Sequence, residues 1–327
     1  MRLSEKDIEV IAEQLPDNSE FQEGKLPPYY SGGPSRRLAA AATYAQRVFL
    51  TSEQFRFQRL PFEDFSAGFI ARHRKLELTS KMPESGAFTF GIMVRARQLD
   101  PENPQRLLGR ISYQGVELPI ILSSGAEERH TPSVNPVVPG QGSTTCWVKP
   151  APGNTLRWSQ GALTARHIVE SLNTGDPVHF GGGHLANQYF VGYLADKGAC
   201  PIDAAVVELA PSELPGSLSQ LFIAGPHKLL LPPGINVNVQ GAASGAWTAK
   251  ILRHFALPDF WGAMIGQRVF LDVPGMAGDS GALVQASNTG EGLGIYMGTI
   301  PDGLGGHEAV CQDLYQASVY LDFEAYL

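Results

Sequence analysis

The chain has 327 residues, of which 43% are apolar and 17% charged, with a formal net charge of −7. That is the balance of a globular protein long enough for two domains and an ample core. It holds no Lys/Arg block, which argues against nucleic acid or an anionic membrane as partner, and no apolar run of membrane-spanning length.

The first predicted element is a short helix over residues 3–15, where Ser4 and Asp7 suggest a capping box, Ile8, Ile11 and Leu15 share a face, and Pro16 ends the turn. Residues 17–34 read as loop, with Pro27-Pro28 and Gly32-Gly33-Pro34. Ser35 then caps a second helix with a stripe of Leu38, Ala41, Ala42, Ala45, Val48 and Phe49. Small residues in that stripe favour close packing, with a partner-binding helix as the alternative. At Phe88, Phe90, Ile92, Val94 and Ala96 the period becomes two, the mark of a half-buried strand. Asp100-Pro101-Glu102-Asn103-Pro104 breaks it. Ile111, Gln114-Gly115 and then Val116, Leu118, Ile120 and Leu122 predict a hairpin. Residues 35–123 are therefore expected to form a small α+β unit. The Pro-rich stretch Gly125–Pro139 reads as linker, which divides the chain into an accessory region, 1–130, and a second domain, 131–327.

After the linker the pattern is almost wholly β. Strands are expected at Thr144–Val148, Thr155–Leu163, Tyr189–Leu194 and Ala204–Leu209. A second set is expected at Asn236–Gln240, Thr248–Leu252, Leu283–Ala286 and Gly292–Thr299, with Ser287-Asn288-Thr289-Gly290 turning between the last two. Many short strands without βαβ alternation predict antiparallel barrels. Leu314–Tyr326 fits a last strand, a helix, or both.

Within this β region three short stretches carry chemistry. Gly278-Asp279-Ser280-Gly281-Ala282 follows a Pro/Gly-rich segment and precedes the apolar pair Leu283-Val284. A serine between glycines is a hydroxyl presented by a turn, and the N–H groups of Gly278 and Ser280 are candidate donors to an oxyanion. His167 ends Thr164-Ala165-Arg166-His167, and Asp203 opens the apolar run Ala204-Ala205-Val206-Val207. Serine needs a base to act as nucleophile, and an imidazole held by a carboxylate supplies one. Asp176 and Asp196 are the alternatives to Asp203; the apolar run directly after Asp203 favours it.

In that order, T-A-x-H, D-x-A before an apolar strand, and G-D-S-G, the chain resembles the chymotrypsin/trypsin-like serine protease family over roughly residues 134–327. Residues 35–123 resemble, weakly, the accessory domain that precedes the protease in some prokaryotic and plant members. The resemblance implies two antiparallel barrels, with His167 as general base and Asp203 as its orienting acid on the first and Ser280 as nucleophile on the second. Gly241-Ala242-Ala243-Ser244-Gly245 resembles a turn the family places between strands of its second barrel. In the family the residue six before the serine, here Pro274, sits at the base of the specificity pocket, and the opposite wall falls on Tyr296, Met297, Gly298 and Thr299. None of these carries a charge, so Lys or Arg is not expected before the scissile bond, unless Asp302 or Glu308 supplies a pocket acid.

Departures from the secreted members carry their own expectations. Ile168 stands where those members place a cysteine, no Ile-Val-Gly-Gly start lies near residue 134, and Cys146, Cys200 and Cys311 are an odd, sparse set. The first residues, Met1-Arg2-Leu3-Ser4-Glu5-Lys6-Asp7, are charged where a secretion signal is apolar. A cytoplasmic protein without structural disulfides is expected, with an internal partner for Asp279. No metal is expected, because His179, His184 and Cys200 lack a recognised ligand spacing, and no cofactor, because Gly181-Gly182-Gly183 lacks the Lys and helix of a phosphate loop. The implied activity is a serine endopeptidase acting on protein or peptide substrates and regulated or targeted through residues 1–130. The alternatives are a catalytically silent binding or scaffold protein of protease fold and a small-ester acyl hydrolase.

Overall fold

The computed structural model describes residues 62–71, 76, 84–85, 88–96, 105–113, 116–124, 142–153, 158–180, 190–198, 202–210, 212, 217–224, 234–258, 265–301 and 306–327. The helices expected at 3–15 and 35–49, the linker, the hairpin turn at Gln114-Gly115, the glycine triplet, His184, Cys200 and Asp302 lie outside the described residues.

The first described strands are β1 (Phe62–Ala71), β2 (Glu84–Ser85), β3 (Phe88–Ala96), β4 (Gln105–Tyr113) and β5 (Val116–Ser124). β4 and β5 form the expected hairpin, and β5 then lies parallel to β3, Ile92 opposite Ile120. β3 departs from the half-buried expectation. Gly91 and Met93 are buried as well as Ile92 and Val94, so the strand is covered on both faces. Met93 packs with Ile70, Leu76 and Ile121, a small core of its own.

Next come β6 (Cys146–Pro150), β7 (Gly161–Thr164), β8 (Pro177–Phe180), β9 (Phe190–Lys197) and β10 (Ala205–Glu208). After them run β11 (Asn236–Gly241), β12 (Gly245–Pro258), β13 (Ile265–Leu271), β14 (Leu283–Ala286), β15 (Gly292–Pro301) and β16 (His307–Asp313). The C-terminal stretch holds both helix and strand: α1 (Leu314–Leu321), capped by the Asp313 carboxylate, which accepts from the Gln316 N–H, and β17 (Phe323–Tyr326). Asp322 turns the chain between them in the left-handed region, φ 52°.

β11 to β16 close into an antiparallel barrel in the order β11-β14-β15-β16-β13-β12, with β12 returning to β11. Val237, Val239, Ile251, Val269, Val284 and Tyr296 fill it. β12 is long enough to hold two partners along one edge. Its first half pairs β11, and beyond that β1 takes the edge, from Phe65 opposite Ala256 to Gly68 opposite Arg253. The N-terminal strands thus continue the barrel's own sheet. The other half is a six-stranded sheet, β17-β6-β7-β10-β9-β8, in which β17 flanks β6. The two halves meet on an apolar seam where Leu283 and Ile295 of the barrel pack with Leu163, Ala165 and Val206 of the sheet and with Leu314 and Leu321 of α1. Among the described residues no helix is long and apolar enough to cross a membrane.

The barrel also buries a charge pair. Arg253 on β12 holds Glu308 on β16 through both terminal guanidinium nitrogens and lies 4.9 Å over the Phe270 ring. Glu308 is therefore committed to the barrel wall. Removing one partner of a buried pair strands the other charge. Arg253→Met is expected to lower stability by about 3–5 kcal/mol, and adding Glu308→Leu to recover most of it. Urea denaturation of the single and double variants checks this, and an additive double variant would refute it.

Candidate active site

The end of β7 and the turn before β14 are stapled together by short polar side chains. Thr164 Oγ1 donates to the Ser143 carbonyl at 2.8 Å, and the Ser143 N–H donates to the Ser280 carbonyl at 2.6 Å. Thr145 Oγ1 donates to the Gly281 carbonyl at 2.6 Å. Ser143 Oγ donates to the Gly278 carbonyl at 3.1 Å and accepts from the Ala242 N–H at 2.8 Å. These bonds bring Ser280 to the strand end that leads into His167. Thr164 opens the T-A-x-H motif, but no sequence pattern marks Ser143 or Thr145, since hydroxyls beside an interior strand read as ordinary strand residues.

His167 lies in a one-turn 3-10 helix, Arg166–Val169, anchored by buried Ala165 and Val169. Arg166 ties that turn to β9 by donating to the Gly198 carbonyl, 2.8 Å. Asp203, just before β10, clamps the histidine twice. One carboxylate oxygen accepts the His167 backbone N–H at 2.9 Å and the other lies 2.8 Å from Nδ1. Burial pushes the Asp203 carboxyl up, but the His167 contacts, and after them Arg268, outweigh it and hold the group below its ordinary range. An ionised carboxylate has no proton to give, so the ring donates from Nδ1 and keeps its lone pair on Nε2. Of the three candidate acids the structure brings Asp203 to the ring; Asp176 instead accepts from the Asn173 N–H in a surface turn.

The serine turn takes its shape from two glycines. Gly278 has φ +100° and Gly281 φ +93°, and a Cβ at Gly281 would sit 2.0 Å from the Ser143 carbonyl oxygen. Among the described residues the N–H groups of Gly278 and Ser280 have no acceptor. Between them Asp279 is wholly buried, and its partners are internal. One carboxylate oxygen accepts from the N–H groups of Ala243 and Ser244, both at 2.9 Å, and the other from Ser244 Oγ at 2.5 Å and the Met276 N–H at 2.7 Å. The turn Gly241–Gly245 is thus docked on Asp279.

Ser280 Oγ does not hold His167 in this structure. It donates to the Met297 carbonyl at 2.9 Å, while His167 Nε2 is buried without a hydrogen-bond partner among the described residues. The expected pocket residues divide. Pro274, expected at the base of a pocket, is instead exposed, as are Val273 and Met276. Tyr296 turns into the barrel core, edge-on to Trp247 with centroids 5.8 Å apart, and its hydroxyl accepts from the Gly275 N–H at 3.0 Å. Met297 is half-buried against Leu252, Phe270 and Val310, and Gly298 and Thr299 continue β15, with open space where a Gly298 side chain would stand.

A further residue at the site is Gln312, wholly buried on β16, whose Oε1 accepts the Asp203 N–H at 3.0 Å. The contact spans 109 positions of sequence, and no local pattern announces it. The next residue, Asp313, is also buried, and burial pushes its carboxyl up to about 7, against the Gln316 N–H and Arg268, which pull it down.

No protein-family model matches the chain, and no curated protein matches it. Solved structures similar to it include a Nocardiopsis protease, 18% identical over 56% of this chain and 91% of that one, TM-score 0.40. A glutamic acid specific serine protease that uses a histidine triad in substrate binding is 14% identical over 57% and 93%, TM-score 0.41. Thermobifida fusca protease A is 18% identical over 56% and 90%, TM-score 0.39. The likeness is distant.

Asp313 makes stability depend on pH. Its folded pKa lies above the unfolded value of 3.8, so its contribution is full below about pH 4 and is lost as pH rises towards about 7. Asp313→Asn keeps a capping oxygen without the charge. Its urea midpoint is expected to fall less between pH 4 and pH 7 than that of the unaltered chain; an identical fall in both would refute the assignment.

Proposed function

We propose that the chain is a serine endopeptidase in which Ser280 is the nucleophile, His167 the general base and Asp203 the group that orients it. The observation that carries this is His167, held by Asp203 at its main chain and at ring Nδ1, with no partner at Nε2 among the described residues, together with a serine turn whose N–H groups at Gly278 and Ser280 are unengaged there. Attack requires Ser280 Oγ to leave the Met297 carbonyl by rotation about Cα–Cβ and donate to His167 Nε2. As Oγ bonds to the scissile carbonyl carbon, its proton passes to Nε2, and Asp203 stabilises the imidazolium that forms. The carbonyl oxygen, now an oxyanion, is met by the two free N–H groups, each such donor being worth about 10²–10³ in rate. His167 then protonates the leaving amine, and water attacks the Ser280 ester by the same route.

The bond from Ser280 Oγ to Met297 favours one other reading, a silent binding protein of the same fold. A fluorophosphonate probe separates the two. The unaltered chain is expected to label at Ser280, Ser280→Ala not at all, and His167→Ala at a rate lower by roughly 10⁴-fold or more, with circular dichroism unchanged in both. An unaltered, folded chain that never labels would decide for the silent protein.

The substrate is proposed to be a protein or peptide with a neutral residue before the scissile bond. Val273, Pro274 and Met276 are uncharged and exposed, and Glu308 is held by Arg253. Tyr296, Met297, Gly298 and Thr299 enter through their backbone and the Met297 side chain rather than as a set of pocket walls. A peptide library is expected to show apolar or small residues enriched at that position, and a strict Arg/Lys preference would overturn the assignment. The division at residue 130, a cytoplasmic setting, and regulation or targeting of the site by residues 1–130 belong to the same proposal. The pairing of β1 with β12 supports the last, because β12 also adjoins the turn that holds Asp279.

A further inference from the structure

Arg268 and Gln312 face one another across β13 and β16, both almost wholly out of water. The amide of Gln312 is oriented by neighbours at both of its atoms. Its Oε1 accepts from the Asp203 N–H at 3.0 Å and from the Arg268 guanidinium at 2.5 Å. Its Nε2 donates to the Asp313 carbonyl and to Gln316 Oε1, both at 3.1 Å. A flipped amide would set its own N–H groups against two donors, so this orientation is enforced. Burying a guanidinium is a poor route to stability, and apolar residues of similar volume would serve a barrel wall as well or better. What the pair does is reach out of its own barrel to the residue that clamps His167.

We propose that Arg268 and Gln312 are positioning residues for Asp203, and through it for His167: Gln312 fixes the Asp203 main chain, and Arg268 fixes the Gln312 amide. This rests on the reading of His167 and Asp203 as base and orienting acid. Asp203 is faced by His167 from the 3-10 turn and by Arg268 from β13, while Cys311 and Asp313 on β16 face Arg268. Burial raises both of the latter, so below pH 6 Cys311 and Asp313 are mainly protonated.

The test is carboxyl-carbon NMR of Asp203 in the full chain, assigned by its loss in Asp203→Asn and titrated downward from pH 6, with fluorophosphonate labelling of Ser280 measured in parallel. Loosening the clamp weakens the His167 bonds that favour the charged carboxylate. The Asp203 midpoint is therefore expected to rise by about half a unit or more in Gln312→Leu, and labelling to slow on the order of tenfold to a hundredfold, while the chain stays folded. Gln312→Met replaces the Leu variant if that one does not fold. An Asp203 midpoint unchanged in Gln312→Leu overturns the proposal, whether or not labelling falls. A shifted midpoint in a chain that never labels at Ser280 would support the clamp and sink the hydrolytic reading, so the two failures are told apart.

Discussion

A carboxylate removed from water must be met by donors, and Asp279 obliges the structure to supply four. They come from the turn at 243–244 and from Met276. The serine turn, the loop before it and the hairpin turn between β11 and β12 therefore share a single anchor. The positive-φ geometry at Gly278 and Gly281 is held by this and by Ser143, whose hydroxyl and main chain grip the carbonyls of Gly278 and Ser280 from the opposite side. With both grips in place, the unengaged N–H groups are kept as they are by their neighbours rather than by chance.

The serine turn and the His167 turn are carried by two halves of the molecule that are joined along an apolar seam. Leu283, Ile295 and Leu314 lie in that seam, so the packing beside the candidate site also fixes how the halves sit. The polar staples through Ser143, Thr145 and Thr164 then convert a greasy contact, which has little directional preference, into one with a register. The bond from Ser280 Oγ to the Met297 carbonyl fits this picture of a preformed frame with one rotatable part.

How far the sequence could be read follows the range of the interactions. Leu283–Ala286 reads as a strand at its actual limits because an apolar pair and a flanking turn are local signals. The motifs holding His167, Asp203 and Ser280 are legible for the same reason. β13 and β16 escape the pattern because Arg268, Glu308, Gln312 and Asp313 occupy interior positions where alternation expects apolar residues. β1, between β3 and β12, escapes it too, and of β12 only the segment Thr248–Leu252 is legible; the pairing of the two joins segments far apart in the chain, which no local pattern announces. Both kinds of miss have one cause. Burial of a polar side chain is decided by the group that answers it, and that group stands elsewhere in the sequence.

The position of β17 has a consequence for the order of events in synthesis. The sheet that carries His167 and Asp203 is flanked by residues 323–326, and the amide that holds the Asp203 main chain belongs to residue 312. A growing chain acquires His167, Asp203 and Ser280 well before it acquires β17 or the tail of β16. Asp203 therefore lacks its bond from Gln312, and the sheet its β17 edge, until residues 312–326 have been made and folded back. Connectivity alone thus acts as a timing device, delaying the organised site behind the synthesis of its parts.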